Sequence, residues 1–258
     1  MKRLFLILLL VLPTILVGQD LRHWFSEEFE GESVDVPKTK IALVIGNTDY
    51  DNNNWDLKNP TNDANLISAS FKELGFDVIL KENLDRGEFI DNIKSFKEKQ
   101  DSYDFSIVYY AGHAIQDENG NSYILPTDFS QKIEIEDSGV NVSDLLNYFE
   151  NSEQKCLFIL DACRNTGNNG LPKPLIEDPL NVKLAYSTSF GKKASDNAEL
   201  DNTVYTYYLS KLFLIEGLSI HDIFHNASKK VLSKTNKQQY PVDYFGISIE
   251  DVQLKVRD

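Results

Sequence analysis

The stretch CLFILDACRNTG, residues 156–167, contains both cysteines of the 258-residue chain. Five apolar residues in succession predict a buried β-strand that ends at Asp161, after which the chain becomes polar. A strand here would separate Cys156 from Cys163 by about 23 Å, at ~3.3 Å per residue. Because a disulfide requires Cα atoms within ~7 Å, the two cysteines cannot pair within one chain. Cys163 is therefore a free thiol or part of an intermolecular bridge, and Cys156 is expected inside the strand.

Similar apolar runs recur along the chain and alternate with segments of helical periodicity. KIALVIGN (40–47) is typical of a buried strand, and NDANLISASFKELGF (62–76) is typical of a helix that ends at Gly75. The other predicted strands are 77–83, 104–113, 156–161 and 182–189, with short strands in 118–128 and one or two in 243–256; the other predicted helices are 87–100, 142–152 (opened by a Ser143 cap), 203–216 and 219–234. This alternation predicts an α/β fold with a mainly parallel sheet covered by helices on both faces.

Two residues that can perform chemistry lie at the ends of predicted strands. In mainly parallel sheets, ligands bind beyond the carboxyl ends of the strands. His113 ends the strand at 104–113, and Cys163 follows the strand at 156–161. An imidazole beside a thiol favours the thiolate, which is the reactive form of cysteine. The sequence therefore predicts a thiol nucleophile and a histidine at one edge of the sheet.

The amino-terminal residues differ in character from the rest of the chain. Two basic residues precede an apolar run over 4–17, and Gly18 supplies a small residue before the polar chain begins. The run is shorter than the ~20 residues of a membrane-spanning helix, although an uncleaved anchor is the alternative. We expect a signal peptide over 1–18, an acidic lead-in over 19–38, and a periplasmic or secreted protein.

The composition limits the classes of partner. The chain carries a net charge of −14, with 40 Asp and Glu against 26 Lys and Arg. Nucleic acids and anionic lipids are bound through Lys and Arg, so neither is an expected partner, apart from a membrane contact through an uncleaved N-terminal segment. With 41% hydrophobic residues, the chain can form one large α/β core or two small domains.

Several short motifs, taken in their order, resemble those of the caspase-like cysteine peptidases of the metacaspase and paracaspase type. They lie within 39–250 and are ALVIGNTDY, LKNPTNDANLI, YYAGHA, SYILPTD, ILDACRN, AYSTSFGKKASDN, NTVYTYYL and QYP. DACRN, with a histidine 50 residues upstream, resembles the caspase signature. The resemblance implies a three-layer caspase–haemoglobinase fold with a roughly six-stranded sheet over 39–250, followed by a short end at 251–258. It also implies a cysteine endopeptidase whose partner is a peptide or protein substrate.

The resemblance assigns roles to individual residues. Cys163 would attack the scissile carbonyl, and His113 would serve as general base and acid. The backbone N–H groups of Ala114 and Cys163 would form the oxyanion hole. The family usually has glycine where this chain has Ala114, so the alanine would be strained if that position requires positive φ.

Two acidic residues match the positions with which metacaspase-like enzymes bind the residue before the cleaved bond. Asp63 and Asp161 would select Arg or Lys there by charge pairing. The alternatives are a carboxylate in the first turn of a helix for Asp63, and a strand-end residue bonded to nearby backbone for Asp161. The leading prediction is therefore cleavage after Arg or Lys. The rival prediction is a caspase-like domain without catalysis that acts as a binding or scaffold module.

Other candidate sites carry weaker signals. No cofactor is predicted, although some metacaspases need calcium and the loop DENGN (117–121) carries oxygen ligands; a hairpin turn also explains this loop. His221 and His225 are spaced i,i+4 on a predicted helix, but no third ligand is evident, so no metal site is predicted. Self-cleavage would use one of three lysines, which are Lys183, Lys192 and Lys193.

Overall fold

The computed structural model describes most of the segment that carries the motifs. The described residues are 35–117, 119–150, 154–162, 165–166, 182–188, 201–244 and 247–256. Several expectations concern residues outside these ranges and stay predictions, namely the signal peptide, the lead-in before Asp35, Cys163, Lys192 and Lys193.

The elements are numbered in chain order. The described strands are β1 (Lys40–Gly46), β2 (Asp77–Glu82), β3 (Phe105–Gly112), β4 (Ala114–Gln116), β5 (Ser122–Ile124), β6 (Val140–Asn141), β7 (Lys155–Ala162), β8 (Asn165–Thr166), β9 (Val182–Tyr186) and β10 (Val242–Tyr244). The described helices are α1 (Pro60–Glu73), α2 (Arg86–Gln100), α3 (Ile135–Ser138), α4 (Val142–Glu150), α5 (Val204–Phe213), α6 (Ile220–Lys234) and α7 (Ile247–Glu250), and a 3-10 turn covers Asn53–Trp55.

A six-stranded sheet has the strand order β2-β1-β3-β7-β9-β10. All neighbouring pairs are parallel except β9 with β10, which is antiparallel and lies at the edge. The central strand β3 has all eight residues buried, as expected for a strand covered on both faces. The predicted mainly parallel sheet is confirmed.

Helices cover both faces of this sheet and enclose two apolar cores. Helices α1, α5 and α6 pack on one face, where Phe71, Phe213 and Phe224 are buried with strand residues such as Ile107 and Ile159. The other face is covered by α2 and α4, whose packed residues include Phe89, Phe96, Leu146 and Phe149. The three-layer α/β fold is therefore confirmed.

The first and fourth helices show how local sequence sets the helix ends. Helix α1 ends just before the predicted stop at Gly75. Helix α4 begins at Val142, and the side chain of Asn141 accepts from the N–H groups of Ser143 (2.8 Å) and Asp144 (3.3 Å). The predicted Ser143 cap is thus wrong by two residues, because the Asn141 side chain already accepts from the free N–H groups of the first turn.

Two features of the described chain were not predicted in full. A second sheet has the strand order β6-β5-β4-β8, and its strands of two or three residues are too short to show a period. In the carboxyl-terminal segment, where the sequence predicts one or two strands, one strand, β10, is followed by the short helix α7. Gln253 adds only an isolated bridge to Ser219.

Gly46 determines how closely helix α1 approaches the end of β1. A Cβ atom on this glycine would lie 2.6 Å from the carbonyl oxygen of Pro60 and 2.9 Å from the Cβ of Ala64. Any larger residue would therefore push the first turn of α1, which carries Asp63, away from the sheet. Across the part of the chain that the structure describes, no helix has the length and apolar content needed to cross a membrane.

Candidate active site

His113 lies directly after β3, at the carboxyl edge of the sheet, and is half-buried. Its Nε2 atom is 2.8 Å from the carbonyl oxygen of Trp55. Because a carbonyl oxygen only accepts hydrogen bonds, Nε2 carries the proton. In the neutral ring, Nδ1 is then the lone-pair nitrogen, so the contact fixes which atom can act as a base.

The segment that supplies the Trp55 carbonyl is held by its own hydrogen bonds. Asp56 accepts from the N–H of Tyr50 at 2.9 Å, and Leu57 donates to the carbonyl oxygen of Thr48 at 2.9 Å. The rings of Tyr50 and Trp55 lie 4.9 and 5.6 Å from the His113 ring, centroid to centroid. Burial among these groups lowers the pKa of His113 below 6.5, although the hydrogen bond to Trp55 opposes this shift. His113 is therefore neutral at pH 7, as a general base must be.

Two tyrosines that we did not predict hold the backbone of His113. The hydroxyl of Tyr50 accepts from the His113 N–H at 2.9 Å. The hydroxyl of Tyr110 lies 3.0 Å from the His113 carbonyl oxygen and 3.1 Å from that of Leu125. Both tyrosines stand in quoted motifs, TDY and YYAGH, where their aromatic character gave no sign of a hydrogen-bonding role.

Gly112 allows this close packing. A Cβ atom at this position would lie 2.7 Å from the Cζ atom of Tyr110, and the φ of 156° is one that L side chains rarely adopt. The glycine before the histidine is therefore required by the tyrosine that supports the histidine.

The strand register brings the chain around Cys163 next to the chain around His113. Gly112, which precedes the histidine, pairs with Ala162, which precedes the cysteine. Beyond the two residues, Ile115 of β4 pairs with Asn165 of β8. Cys163 itself lies outside the described residues, so its contact with His113 stays a prediction.

The structure brings Asp63 and Asp161 together. Asp63 stands in the first turn of α1 and Asp161 near the end of β7, and their exposed fractions are 0% and 4%. Thr203 contacts both, because its N–H donates to Asp63 Oδ1 at 2.9 Å and its hydroxyl donates to Asp161 Oδ2 at 2.5 Å. Asp63 does lie in the first turn of a helix, as the alternative interpretation predicted. That turn also places its carboxylate beside Asp161, so the two form one acidic site.

The two carboxylates perturb each other. Burial, followed by the charge of Asp161, raises the pKa of Asp63 to about 8, against the opposing hydrogen bonds from Asn202 and Thr203. Near neutral pH, one proton is therefore retained on the pair when no cation is bound. A cationic side chain beside it would stabilise the fully ionised form.

The predicted strain at Ala114 is absent. Ala114 lies in β4, and the non-glycine residues with positive φ in the described ranges are Asn83, Asn236 and Lys237. Because the backbone is extended here, alanine is as acceptable as the glycine that the family usually has. The position therefore does not require positive φ, and the condition under which alanine would be strained is not met.

The weaker candidates are placed as follows. Asp117 accepts from the N–H groups of Asn119 (2.9 Å) and Asn121 (2.7 Å), so this loop is a turn that uses its own carboxylate. His221 and His225 stack with ring centroids 5.9 Å apart. Within the described ranges, no cluster of three or more His, Cys, Asp or Glu residues is arranged to hold a metal ion.

Two further residues are buried in the sheet. Lys183 lies within β9 and is 3% exposed, so a protease could not reach the bond after it in the folded chain. This excludes Lys183 as a self-cleavage site, whereas Lys192 and Lys193 lie outside the described residues. Cys156 is fully buried in β7, as expected, and burial raises the pKa of its thiol to about 12. Cys156 is therefore inert.

Comparison with known proteins identifies relatives. A sequence profile of the caspase domain family matches residues 39–248. A paracaspase of Dictyostelium discoideum is 30% identical over 183 residues, which cover 66% of this chain and 42% of that protein. The chain therefore spans less than half the length of this relative.

Proposed function

Since this chain belongs to the caspase domain family, we propose that it is a cysteine endopeptidase that cleaves peptide bonds after Arg or Lys. Membership of the family indicates cysteine-peptidase chemistry in general. The observation that supports a dyad of Cys163 and His113 is the pairing of Gly112 with Ala162, the residues that precede them in neighbouring strands.

This pairing supports a dyad of Cys163 and His113 through covalent geometry alone. Each residue follows its paired neighbour by one peptide unit of ~3.8 Å, and paired strands lie ~4.8 Å apart. The Cα atoms of Cys163 and His113 are therefore separated by at most about 12 Å. Two adjacent side chains directed to the same edge of the sheet can close much of that distance.

The proposed reaction begins with proton transfer from the Cys163 thiol to Nδ1 of His113. The thiolate attacks the carbonyl carbon of the scissile bond, and the carbonyl oxygen becomes an oxyanion. His113 then protonates the leaving amine as the C–N bond breaks, which leaves a thioester on Cys163. Water, deprotonated by His113, attacks the thioester and releases the carboxylic acid product and the free thiol.

The pairing of β4 with β5 in the four-stranded second sheet supports the N–H of Ala114 as an oxyanion donor. His113 accepts from the N–H of Leu125 at 3.0 Å, so this pair belongs to the hydrogen-bonded set of the antiparallel ladder. Because such pairs alternate along a ladder, the N–H of Ala114 points away from β5. It is then directed toward the edge where β8 pairs with β4.

Preference for a basic residue is supported by the acidic pair. Asp161 lies near the carboxyl end of β7, two residues before Cys163, and Thr203 links it to the buried carboxylate of Asp63. A guanidinium or ammonium group placed there gains charge-assisted hydrogen bonds, whereas an acidic side chain would be repelled. This distribution of charge favours Arg and Lys over Asp before the cleaved bond.

The test uses residues 19–258 in reducing buffer with fluorogenic peptides that end in Arg, Lys or Asp, each with and without calcium. We expect cleavage after Arg or Lys that is lost in Cys163→Ala and retained in Cys156→Ala, the matched control. Cleavage after Asp would contradict the role of the acidic pair. An absence of cleavage from a folded protein would contradict the enzyme and favour a binding or scaffold module.

A further inference from the structure

The amino terminus of α5 holds both carboxylates of the acidic pair at once. Thr203 is the capping residue of this helix, and its hydroxyl oxygen accepts from the N–H of Thr206. The same hydroxyl donates to Asp161 Oδ2, and the Thr203 N–H donates to Asp63 Oδ1. A single residue therefore links the end of β7 to the first turn of α1.

Thr206 adds a second donor to the same oxygen of Asp161. Its hydroxyl lies 2.6 Å from Asp161 Oδ2 and 2.6 Å from the hydroxyl of Tyr109. A threonine hydroxyl has one proton, which goes to the carboxylate, so Tyr109 must donate to Thr206. Burial raises the pKa of Tyr109 well above its usual range, which keeps this donor protonated. In this hydrogen-bond chain, Tyr109 donates to Thr206 and Thr206 donates to Asp161, so each donor and acceptor is assigned.

The hydrogen bonds to Asp63 all reach one of its two carboxylate oxygens. Its Oδ1 atom accepts from the N–H of Thr203 and from the side chain of Asn202 at 3.0 Å. Its Oδ2 atom is buried and receives no hydrogen bond from any residue that the structure describes. When Asp63 is ionised, this buried oxygen without a donor is costly unless a ligand supplies one.

We propose that Thr203 and Thr206 are positioning residues that determine specificity, because they orient Asp161 and Asp63 as paired acceptors for the N–H groups of a basic substrate side chain. This inference rests on the proposed function. The threonine contacts restrict the rotation of each carboxylate about its Cβ–Cγ bond, and their loss makes the acceptors for the cation less rigid.

The test compares Thr206→Val, which removes the hydroxyl at nearly constant volume, with Thr206→Ser, which retains it. For a peptide ending in Arg, we expect the valine variant to raise KM at least about tenfold, as for a hydrogen bond to a charged group. The kcat should change by less than about threefold, and the serine variant should restore the KM. An unchanged KM in a folded valine variant would overturn the inference.

Tyr109→Phe tests the same chain if Thr206→Val does not fold. It leaves Thr206 in place and removes only the donor behind it, so KM should rise in the same direction by a smaller factor. A KM equal to that of the unmodified enzyme would contradict the role of the hydrogen-bond chain from Tyr109 through Thr206 to Asp161.

A binding measurement separates this inference from the proposed function. Agmatine, a guanidinium compound, is titrated into Cys163→Ala with and without Thr206→Val, and heat release is recorded. Agmatine binding that Thr206→Val weakens supports the inference even if the enzyme cleaves no peptide. Cleavage after Arg with binding unaffected by Thr206→Val overturns the inference alone. An absence of both cleavage and agmatine binding overturns both.

Discussion

The Nε2 atom of His113 lies 2.8 Å from the carbonyl oxygen of Trp55, and this one contact selects the tautomer of the histidine. A backbone carbonyl orients the ring without adding a charge beside it. The ring therefore keeps the lowered pKa that burial gives it. A carboxylate in the same place would raise the pKa and stabilise the imidazolium form.

This arrangement predicts the acidic limb of the pH profile. Because the pKa of His113 is lowered from 6.5, kcat/KM should decline only below pH 6.5. Trp55→Ala retains the carbonyl but exposes the imidazole to water, so the acidic limb should move to higher pH. Trp55→Phe, which keeps an aromatic cover, is the matched control. The pH dependence of kcat/KM for an Arg peptide measures both, and an unmoved limb in Trp55→Ala would contradict burial as the cause.

Tyr50→Phe should destabilise the fold through the backbone of His113. The variant removes the buried Tyr50 oxygen that accepts the His113 N–H and leaves that donor unpaired at a half-buried residue. The expected loss in the free energy of unfolding is about 1–3 kcal/mol, measured by urea denaturation. Tyr148→Phe is the control, because Tyr148 is exposed on α4 and should change stability by less than about 0.5 kcal/mol.

The difference in reactivity between the two cysteines provides a third prediction. Cys156 is fully buried and its thiol pKa is raised to about 12, so it should not react with iodoacetamide in the folded protein. We expect one modified thiol in the native protein and two after denaturation in urea, counted by mass spectrometry. Native Cys163→Ala should show none. Modification of Cys156 before unfolding would show that strand β7 is not stably buried.

Much of the fold could be predicted from the sequence because the large elements carry strong periodic signals. The strands β1, β3 and β7 each contain five consecutive apolar residues, and burial on both faces accounts for these runs. By contrast, β8 and β6 have two residues each, so tertiary pairing rather than local pattern creates them. The short helix α7 replaces an expected strand for the same reason, since its segment is too short for a reliable period.

The candidate site divides in the same way. His113 could be predicted because it is a reactive residue at a strand end, whereas Asp63 and Asp161 could be predicted from their match to metacaspase-like positions. Thr203 and Thr206 could not be found, since a threonine near a helix start is explained by capping alone. Only the three-dimensional packing of α5 against β7 shows that the cap also binds a carboxylate.

Asp63→Asn should increase the stability of the fold at high pH while it weakens the binding of a basic substrate. The folded pKa of Asp63 is about 8 and its ordinary value is 3.8, so the folded state binds the proton more tightly than the unfolded state. Its contribution to stability is complete below pH 3.8 and is lost as the pH rises to about 8. Asparagine stays uncharged and can still accept from Asn202 and the Thr203 N–H, so it avoids this loss.

The variant should therefore be more stable than the unmodified protein by about 5 kcal/mol at pH 8, and the difference should shrink to about 2 kcal/mol at pH 5. Urea denaturation at both pH values measures it, with Asp91→Asn on the exposed face of α2 as the control. The same substitution should raise KM for Arg peptides, because one of the two charges that bind the cation is gone. A stability difference that does not change between pH 5 and pH 8 would show that Asp63 is already ionised in the folded protein. The acidic pair would then carry its full charge before a substrate arrives.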